Sequence, residues 1–264
     1  MKNIIDGEGG TGMLTQAKYV QNSINVVFPR EPQIRRLAND FEDMLKGKYF
    51  QPQIVPIPDE FDPEVPRMIF GSLHGFSQII VTQVNFVLNV MYSPDWQEDI
   101  SKGNEYLLER VSILFQLLGL LQDVKPSFCG LTTRVNMPTG AGDEAILQQL
   151  SSIFLNHEEI QDYHDLEIKF TTIVQDKFFN NMTIQNYRLW TRVGPQEGIP
   201  RLARKVANER GIQVIGDFND RYAFNEIEGY VSSSDVAKEI INYGLIEVRK
   251  IVNKIGGAFN EGNN

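Results

Sequence analysis

The sequence predicts an α+β fold in which long helices pack on one face of a curved antiparallel sheet. Strand-like segments come in runs rather than alternating with helices, which favours such a sheet over a doubly wound one. Two amphipathic helices, at about residues 98–122 and 234–255, are long enough to cover it. Residues 76–92 alternate between apolar and polar side chains, as a strand with one buried face does. A saddle-like or helix-grip-like arrangement fits these three observations.

We interpret residues 76–92, FSQIIVTQVNFVLNVMY, as one long central strand. From Ile80 to Tyr92 its even positions are apolar apart from Thr82, so this side is expected to contact the helices. Its odd positions include two asparagines and a glutamine, so that side is expected to face water or a partner. The β-branched and aromatic residues of the segment agree with a strand.

The first half of the predicted domain, residues 15–124, contains the central strand and a long helix. Its expected elements are, in order, a strand at 19–28, a helix at 34–45, a short strand at 67–72, the central strand and the helix at 98–122. Five prolines between residues 51 and 66 exclude a central strand there. The apolar residues of the long helix recur every three or four positions, which is typical of a helix packed on a sheet. A dimerising coiled coil is the alternative for this helix.

The second half, residues 125–256, is predicted to repeat this order of elements. We expect a strand at 125–137, a helix at 143–156 capped by Asp143, a hairpin of strands at 165–175 and 178–191, a short basic helix at 200–210, a strand at 211–218, a loop at 219–230 and the helix at 234–255. The shared order suggests a pseudo-duplication, and the two halves are expected to form one continuous domain. Residues 1–14 and 257–264 are predicted to be a flexible leader and a flexible tail.

Composition indicates a globular protein that works in a reducing compartment. With 42% hydrophobic and 22% charged residues, the chain has enough apolar side chains for a core. A single cysteine, Cys129, excludes an internal disulfide and a cysteine-built zinc site, so we expect a cytoplasmic location. No segment reads as a membrane span or a signal peptide, so we expect no membrane contact. The formal net charge of −9 disfavours nucleic acid as a partner and leaves a protein partner as the prediction.

Three local patterns resemble catalytic or ligand-binding motifs, but each lacks an essential part. The glycine-rich GEGGTG at residues 7–12 is not followed by the Lys-Ser/Thr pair of a phosphate-binding loop. His157 and His164 are seven positions apart, whereas zinc proteases place two histidines four positions apart on one helix. Cys129 lies in an alternating strand, which favours a buried thiol over a nucleophile. We therefore expect no metal, no cofactor and no catalytic nucleophile.

A group of carboxylates follows or ends the predicted strand at 211–218. It comprises Asp217, Asp220, Glu226 and Glu228. Paired carboxylates serve acid–base chemistry, and loops at strand ends often carry function. The pattern is compatible with solvent-exposed turn residues and also with a hydrolase site.

A basic segment at residues 188–210 is the sharpest local departure from the acidic composition. Its predicted ligand- or partner-binding residues are Arg188, Trp190, Arg192, Arg201, Arg204 and Lys205. Arginine binds phosphates and carboxylates through paired N–H groups and stacks on aromatic rings. The alternative is a helix with a basic solvent face that pairs with acidic residues elsewhere in the chain.

Two motifs resemble those of a sporadically distributed bacterial family of uncharacterised proteins of about this length. The first is a strand followed by tryptophan, VNFVLNVMYSPDW at 84–96. The second is a strand similar to GLRYINRI followed by proline, matched here by GLTTRVNMP at 130–138, with threonines replacing the first arginine and the tyrosine. The resemblance extends to the order of elements over most of residues 19–255, and it implies no catalytic residues. The scattered distribution of the family implies an accessory or defence-type role.

We therefore predict a non-enzymatic bacterial protein that binds another protein and is accessory to a defence-type or toxin-type system. Its open sheet face or its basic segment would contact the partner. One alternative is a nucleotide or nucleic-acid binder that uses the basic segment. Another is a hydrolase that uses the carboxylates after residue 216. The sequence contains no pattern that fixes the oligomeric state.

Overall fold

The computed structural model describes residue 14 and residues 16–155, 163–190 and 202–261 of the 264-residue chain. These residues form an open, curved antiparallel sheet with helices packed on one of its faces. The α+β class predicted from the sequence is therefore confirmed. No helix within the described ranges is both long and apolar enough to cross a membrane.

The described part of the chain contains nine strands and five α-helices. The strands are β1 Lys18–Val27, β2 Gln53–Ile54, β3 Met68–Gly71, β4 Ser77–Val81, β5 Asn85–Met91, β6 Phe128–Pro138, β7 Glu167–Val174, β8 Phe178–Leu189 and β9 Glu209–Asn219. The helices are α1 Ala38–Leu45, α2 Ile100–Leu118, α3 Asp143–Phe154, α4 Arg221–Glu226 and α5 Ser234–Glu261. Across the sheet the strands lie in the order β2-β3-β4-β5-β1-β6-β9-β8-β7.

β1 and β6 lie side by side at the centre of the sheet, and we call this pair the β1–β6 seam. In each half of the chain the last strand returns to pair with the first, β5 with β1 and β9 with β6. The other strands are added outward as hairpins, β4 and β3 on one side and β8 and β7 on the other. The strand order is therefore mirrored about the seam.

Residues 76–92 form a hairpin, so the prediction of one long strand was wrong. β4 ends at Val81 and β5 begins at Asn85, and the two strands pair antiparallel. In the turn, the Thr82 hydroxyl oxygen accepts the backbone N–H groups of Val84 at 3.1 Å and Asn85 at 2.9 Å. The buried side chains are at odd positions in β4 and at even positions in β5. Each strand still has one buried face, as its alternation predicted.

The basic helix predicted at 200–210 was wrong in its described part. Residues Arg204–Val206 form a single 3-10 turn, and β9 begins at Glu209. β9 pairs with both β6 and β8, and the hydrogen bonds of two neighbouring strands outweigh the weak helical pattern of this short segment. Asp143 was expected to cap α3, but it lies in the first turn, where its carboxylate accepts a hydrogen bond from Arg188.

Two segments late in the chain contain more helix than predicted. The loop predicted at 219–230 contains α4, because aromatic side chains of that segment pack on one end of the sheet. The last helix, α5, continues to Glu261, past its predicted end near residue 255. Residues 257–261 therefore belong to this helix.

The core lies between the sheet and helices α2 and α5. α5 lies close on the strands, since a Cβ atom added to Gly216 of β9 would clash with Val248 of the helix. On α5 itself, a Cβ atom added to Gly244 would lie 3.0 Å from Phe218 Cβ. Glycine at these two positions allows the close approach of helix and strand. One buried cluster joins side chains of β1, β5 and α2 from the first half with those of β6, β9 and α5 from the second.

Candidate functional site

Alternate side chains of the strands point away from α2, α3 and α5 and form the open face of the sheet. One line of facing residues crosses seven strands of this face and carries only polar side chains. We call it the polar row, and it consists of Gln78, Asn89, Ser23, Thr132, Asp217, Asn181 and Thr171. Amides, hydroxyls and a carboxylate all form hydrogen bonds, so the row is suited to a polar ligand or partner.

Hydrogen bonds within the polar row fix several of its side chains. Ser23 Oγ donates to Asn89 Oδ1 at 2.7 Å, and Thr171 Oγ1 donates to Asn181 Oδ1 at 2.7 Å. Asn181 Nδ2 in turn donates to Asp217 Oδ2 at 3.3 Å. Side chains held in this way lose less conformational freedom when a partner binds. The face is therefore partly preorganised.

Apolar side chains flank the polar row on the same face. Met91 is 58% exposed and Ile173 is 50% exposed. Val87 and Ile215, which lie in the lines of residues on either side of the polar row, are half buried. A surface that mixes exposed apolar groups with ordered polar groups is typical of protein–protein contacts.

A pocket of about 280 Å³ opens in the middle of this face, at the β1–β6 seam. Its lining includes Asn25 on β1, Phe128 and Gly130 on β6, Asp217 on β9 and Arg221 at the start of α4. Gly130 leaves room for the pocket, because a Cβ atom added there would lie only 3.1 Å from Cβ of Asn219, which also lines it. The pocket thus combines a carboxylate, an amide, an aromatic ring and a guanidinium around a recess.

Two oxygen acceptors of the pocket are incompletely used. The Asp217 carboxylate accepts amide hydrogen bonds from Asn219 Nδ2 at 2.9 Å and Asn181 Nδ2 at 3.3 Å. Among the described residues it forms no ion pair with a lysine, arginine or histidine. Asn25 Oδ1 is shielded from solvent and accepts no hydrogen bond from the described part of the chain. The Asp217 carboxylate can therefore accept a further donor from outside the protein, whereas Asn25 Oδ1 can accept one only if its side chain turns toward the recess.

Arg188, the first residue of the predicted basic site, is held within the fold. Its Nε donates to Asp143 Oδ1 at 2.8 Å, and its Nη1 donates to Asp165 Oδ1 at 2.7 Å. Its Nη2 donates to the backbone carbonyl of His164 at 2.9 Å, and the side chain is only 6% exposed. The protein's own acceptors thus use all three nitrogen atoms of this guanidinium. Sequence reasoning gave the intrachain ion pair as the alternative to partner binding.

The other residues of the predicted basic site are only partly within the described ranges. Trp190 Nε1 donates to the backbone carbonyl of Ala203 at 3.0 Å, beside the half-exposed Arg204. Arg192 and Arg201 lie outside the described residues, and so does the side chain of Lys205. Partner binding by these residues stays a prediction.

The four carboxylates of the alternative hydrolase site lie in different surroundings. Asp217 is on the open face, whereas Asp220 is completely buried at 0% exposure. Glu226 and Glu228 are exposed at and just after the end of α4. The structure therefore separates a buried carboxylate, an open-face carboxylate and two surface carboxylates.

Asp220 closes a buried hydrogen-bond network together with Cys129. One carboxylate oxygen accepts the Cys129 backbone N–H at 2.6 Å. The other accepts the hydroxyl groups of Ser232 at 2.6 Å and Tyr230 at 2.8 Å. Burial raises the pKa of the Cys129 thiol, the Asp220 charge adds to this, and the contact with Ser232 opposes it. The burial of Cys129 predicted from the sequence is confirmed.

Sequence reasoning did not single out Asn25, Gly130 or the pocket that they line. These two residues face each other only because β1 pairs with β6 in one particular register. The single local signal was a glycine inside an alternating strand, which often marks a bulge or a close approach.

A scan against protein-family models and searches of curated proteins and of solved structures returned no match to the chain.

Proposed function

We propose that this chain is a non-enzymatic binding protein that docks another protein on its open sheet face. The observation that carries the proposal is the polar row. Several of its side chains are ordered by mutual hydrogen bonds, and it lies on a face that α2, α3 and α5 leave uncovered. Preorganised polar groups beside exposed apolar ones provide both hydrogen bonds and buried area to a protein surface. Sequence reasoning named two alternatives for the docking surface, this face or the basic segment at 188–210.

Charge indicates the character of the partner. The chain carries a formal net charge of −9, which repels phosphate backbones and attracts basic surfaces. A partner protein with a basic contact region therefore fits better than a nucleic acid. A bacterial, cytoplasmic setting and an accessory role in a defence-type or toxin-type system belong to the same proposal, and they rest on the single cysteine and on the family resemblance.

The proposal is tested by comparing two exposed threonines that lie on opposite faces of the sheet. Thr132 is in the polar row, whereas Thr172 faces the other way on β7. A photo-crosslinking residue placed at position 132, in cells of the organism that carries the gene, is expected to capture a partner that position 172 does not. The captured protein is then identified by mass spectrometry and purified for a binding measurement.

In that measurement, Thr132→Trp is expected to weaken binding of the purified partner by about tenfold or more, because a bulky side chain obstructs the centre of the interface. Thr172→Trp is expected to change the Kd by less than about twofold. Equal capture at both positions, or an unchanged Kd for Thr132→Trp, would show that the open face is not the docking surface.

A further inference from the structure

We propose that the pocket at the β1–β6 seam binds a cationic nitrogen group, the ammonium of a lysine or the guanidinium of an arginine, presented by the docked partner. This inference rests on the proposed function, because it names the anchor of a partner that lies on the open face. It goes beyond that function by assigning a ligand chemistry to particular residues of the pocket.

Asp217 supplies the negative charge that such a group requires. Its two carboxylate oxygens are held by neutral amides, at 2.9 Å from Asn219 Nδ2 and 3.3 Å from Asn181 Nδ2. These contacts fix the carboxylate, which forms no ion pair with any described lysine, arginine or histidine, including Arg221 in the same lining. Each carboxylate oxygen has a second lone pair for a further donor. A charge-assisted hydrogen bond from a partner cation is the interaction that completes the site.

Asn25 indicates that the ligand is a donor and not an acceptor. Its Oδ1 is shielded from solvent and accepts no hydrogen bond from the described residues. An N–H group of a ligand can reach this oxygen only if the Asn25 side chain turns toward the recess, and the new hydrogen bond would then offset the cost of the unpaired acceptor. A lysine ammonium carries three N–H groups and an arginine guanidinium carries five, so either can reach more than one acceptor. A carboxylate or phosphate ligand would satisfy neither Asn25 nor Asp217.

The remaining lining suits the apolar stem of a basic side chain. Val87 and the Phe128 ring provide apolar walls, and long cationic side chains often lay their methylene groups along such surfaces. The Arg221 guanidinium lies 5.5 Å from the centre of the Phe128 ring, at the exposed rim of the pocket. Solvent and salt screen this exposed charge, so it opposes a second cation only weakly. The half-buried carboxylate therefore dominates the charge of the recess.

In the test, small probes with an uncharged backbone are titrated into the full chain, and binding is monitored by two-dimensional ¹H–¹⁵N NMR. The probes are N-acetyl-arginine methylamide and N-acetyl-lysine methylamide, and the matched control is N-acetyl-citrulline methylamide, which has the shape of arginine without its charge. One or both cationic probes are expected to give saturable shifts at the amides of Gly130 and Asn219, with Kd values in the millimolar range. The citrulline probe is expected to give none.

Asp217→Asn keeps the shape of the side chain and is expected to weaken binding of the cationic probe by about tenfold or more. Asp235→Asn is the matched control, because it removes the same charge from a carboxylate that is 94% exposed at the start of α5. It is expected to leave the Kd within about twofold. Arg221→Ala is expected to leave binding unchanged or tighter, since it removes a like charge from the rim. The spectrum of each free variant shows whether the fold is retained.

The inference is overturned if citrulline binds as tightly as arginine, if Asp217→Asn leaves the Kd unchanged, or if Arg221→Ala abolishes binding. It is also overturned if neither cationic probe gives saturable shifts with the wild-type chain. The proposed function is judged separately. Because Thr132 itself lines the pocket, capture is repeated with the crosslinking residue at Thr171, which is in the polar row but not in the pocket lining. Partner capture that persists in Asp217→Asn at wild-type affinity would remove the cationic anchor and leave open-face docking in place.

Discussion

At the scale of single residues, Arg188 forms ion pairs within the fold, and its predicted role in partner binding stays a prediction. Its contacts with Asp143 and Asp165 join β8 to α3 and to the residues before β7. We expect Arg188→Met to lower the free energy of unfolding by about 3 kcal/mol, because it leaves the buried Asp143 carboxylate without its hydrogen-bonded cation. Arg210 remains 3.7 Å from Asp143 and supplies only partial compensation. Urea unfolding measures the loss.

The control for this prediction is Arg36→Met, which removes an exposed guanidinium from the segment before α1. It is expected to change the free energy of unfolding by less than about 0.5 kcal/mol. If Arg188→Met is as stable as the wild type but loses its partner, Arg188 is a binding residue and not a structural one.

Because the Cys129 thiol is buried, we expect the protein to lose stability at alkaline pH. Burial raises the pKa of its thiol, so the folded state keeps a proton that the unfolded state releases above about pH 8.5. The stabilising contribution is therefore fully present below the unfolded pKa and declines as pH rises. Its slope approaches about 1.4 kcal/mol per pH unit for one proton. Urea unfolding at several pH values between 8 and 9.5 measures this decline.

Cys129→Ala removes the titrating group and is expected to flatten the decline over the same pH interval. The slope is the informative quantity, because loss of the thiol also lowers stability at every pH through altered packing. Tyr92 and Tyr230, whose pKa values are also raised by burial, contribute only at higher pH. Equal slopes for the wild type and Cys129→Ala would contradict the assignment.

At the scale of elements, the β4–β5 hairpin shows how far alternation alone can be read. Alternation identified the strand character of residues 76–92 and the buried face of β5 correctly. The turn at 82–84 contains no glycine or proline, so the usual sequence signals for a reversal were missing. The turn is stabilised instead by hydrogen bonds from Thr82 and by tertiary contacts of Gln83, which local sequence does not display.

Gln83 is expected to stabilise the packing of this hairpin on the proline-rich segment that precedes β3. Its side chain is 0% exposed, and its Nε2 donates to the carbonyls of Pro32 and Asp59, each at 2.9 Å. Its Oε1 accepts a hydrogen bond from Arg30 at 3.1 Å. Gln83→Met preserves the volume but leaves these groups without Gln83 as a partner. We expect it to cost about 2–3 kcal/mol in urea unfolding.

Gln78→Met is the matched control for that change, because Gln78 belongs to the same hairpin but lies half exposed on the open face. Its expected cost is less than about 0.5 kcal/mol. Equal costs for the two substitutions would mean that the buried hydrogen bonds of Gln83 contribute nothing specific.

At the scale of the whole molecule, the sequence predicted the class of fold but not the site. The order of strands and helices follows from local periodicity, and α1, α2, β6 and β8 lie close to their predicted ranges. The polar row and the pocket depend instead on pairing between distant strands, such as Ser23 opposite Thr132 and Thr132 opposite Asp217. A shift of register by one residue would move each of these side chains to the other face. Local patterns indicate which residues share one face of a strand, but not which residues of distant strands lie opposite each other.

The mirrored strand order raises the question of whether the two halves unfold independently. Their main buried cluster is shared, since α2 packs against α5 and both contribute side chains to it. The β1–β6 seam also joins the halves by backbone hydrogen bonds. A shared core and a continuous sheet make separate unfolding costly. If one half unfolded, the other half would expose the apolar surface that the first half had covered. We therefore expect one cooperative unfolding transition for the described fold.

The two tryptophans test this expectation, because the chain has only Trp96 in the first half and Trp190 in the second. Trp190→Phe leaves a fluorophore that reports on the first half, and Trp96→Phe leaves one that reports on the second. In each variant, the urea midpoint from fluorescence is expected to coincide with the midpoint from far-ultraviolet circular dichroism, which reports on the whole sheet. A midpoint at Trp96 or Trp190 that clearly precedes the circular dichroism midpoint would show that this half unfolds first. The open face would then be a junction between two units, and its pocket would open before the rest of the fold.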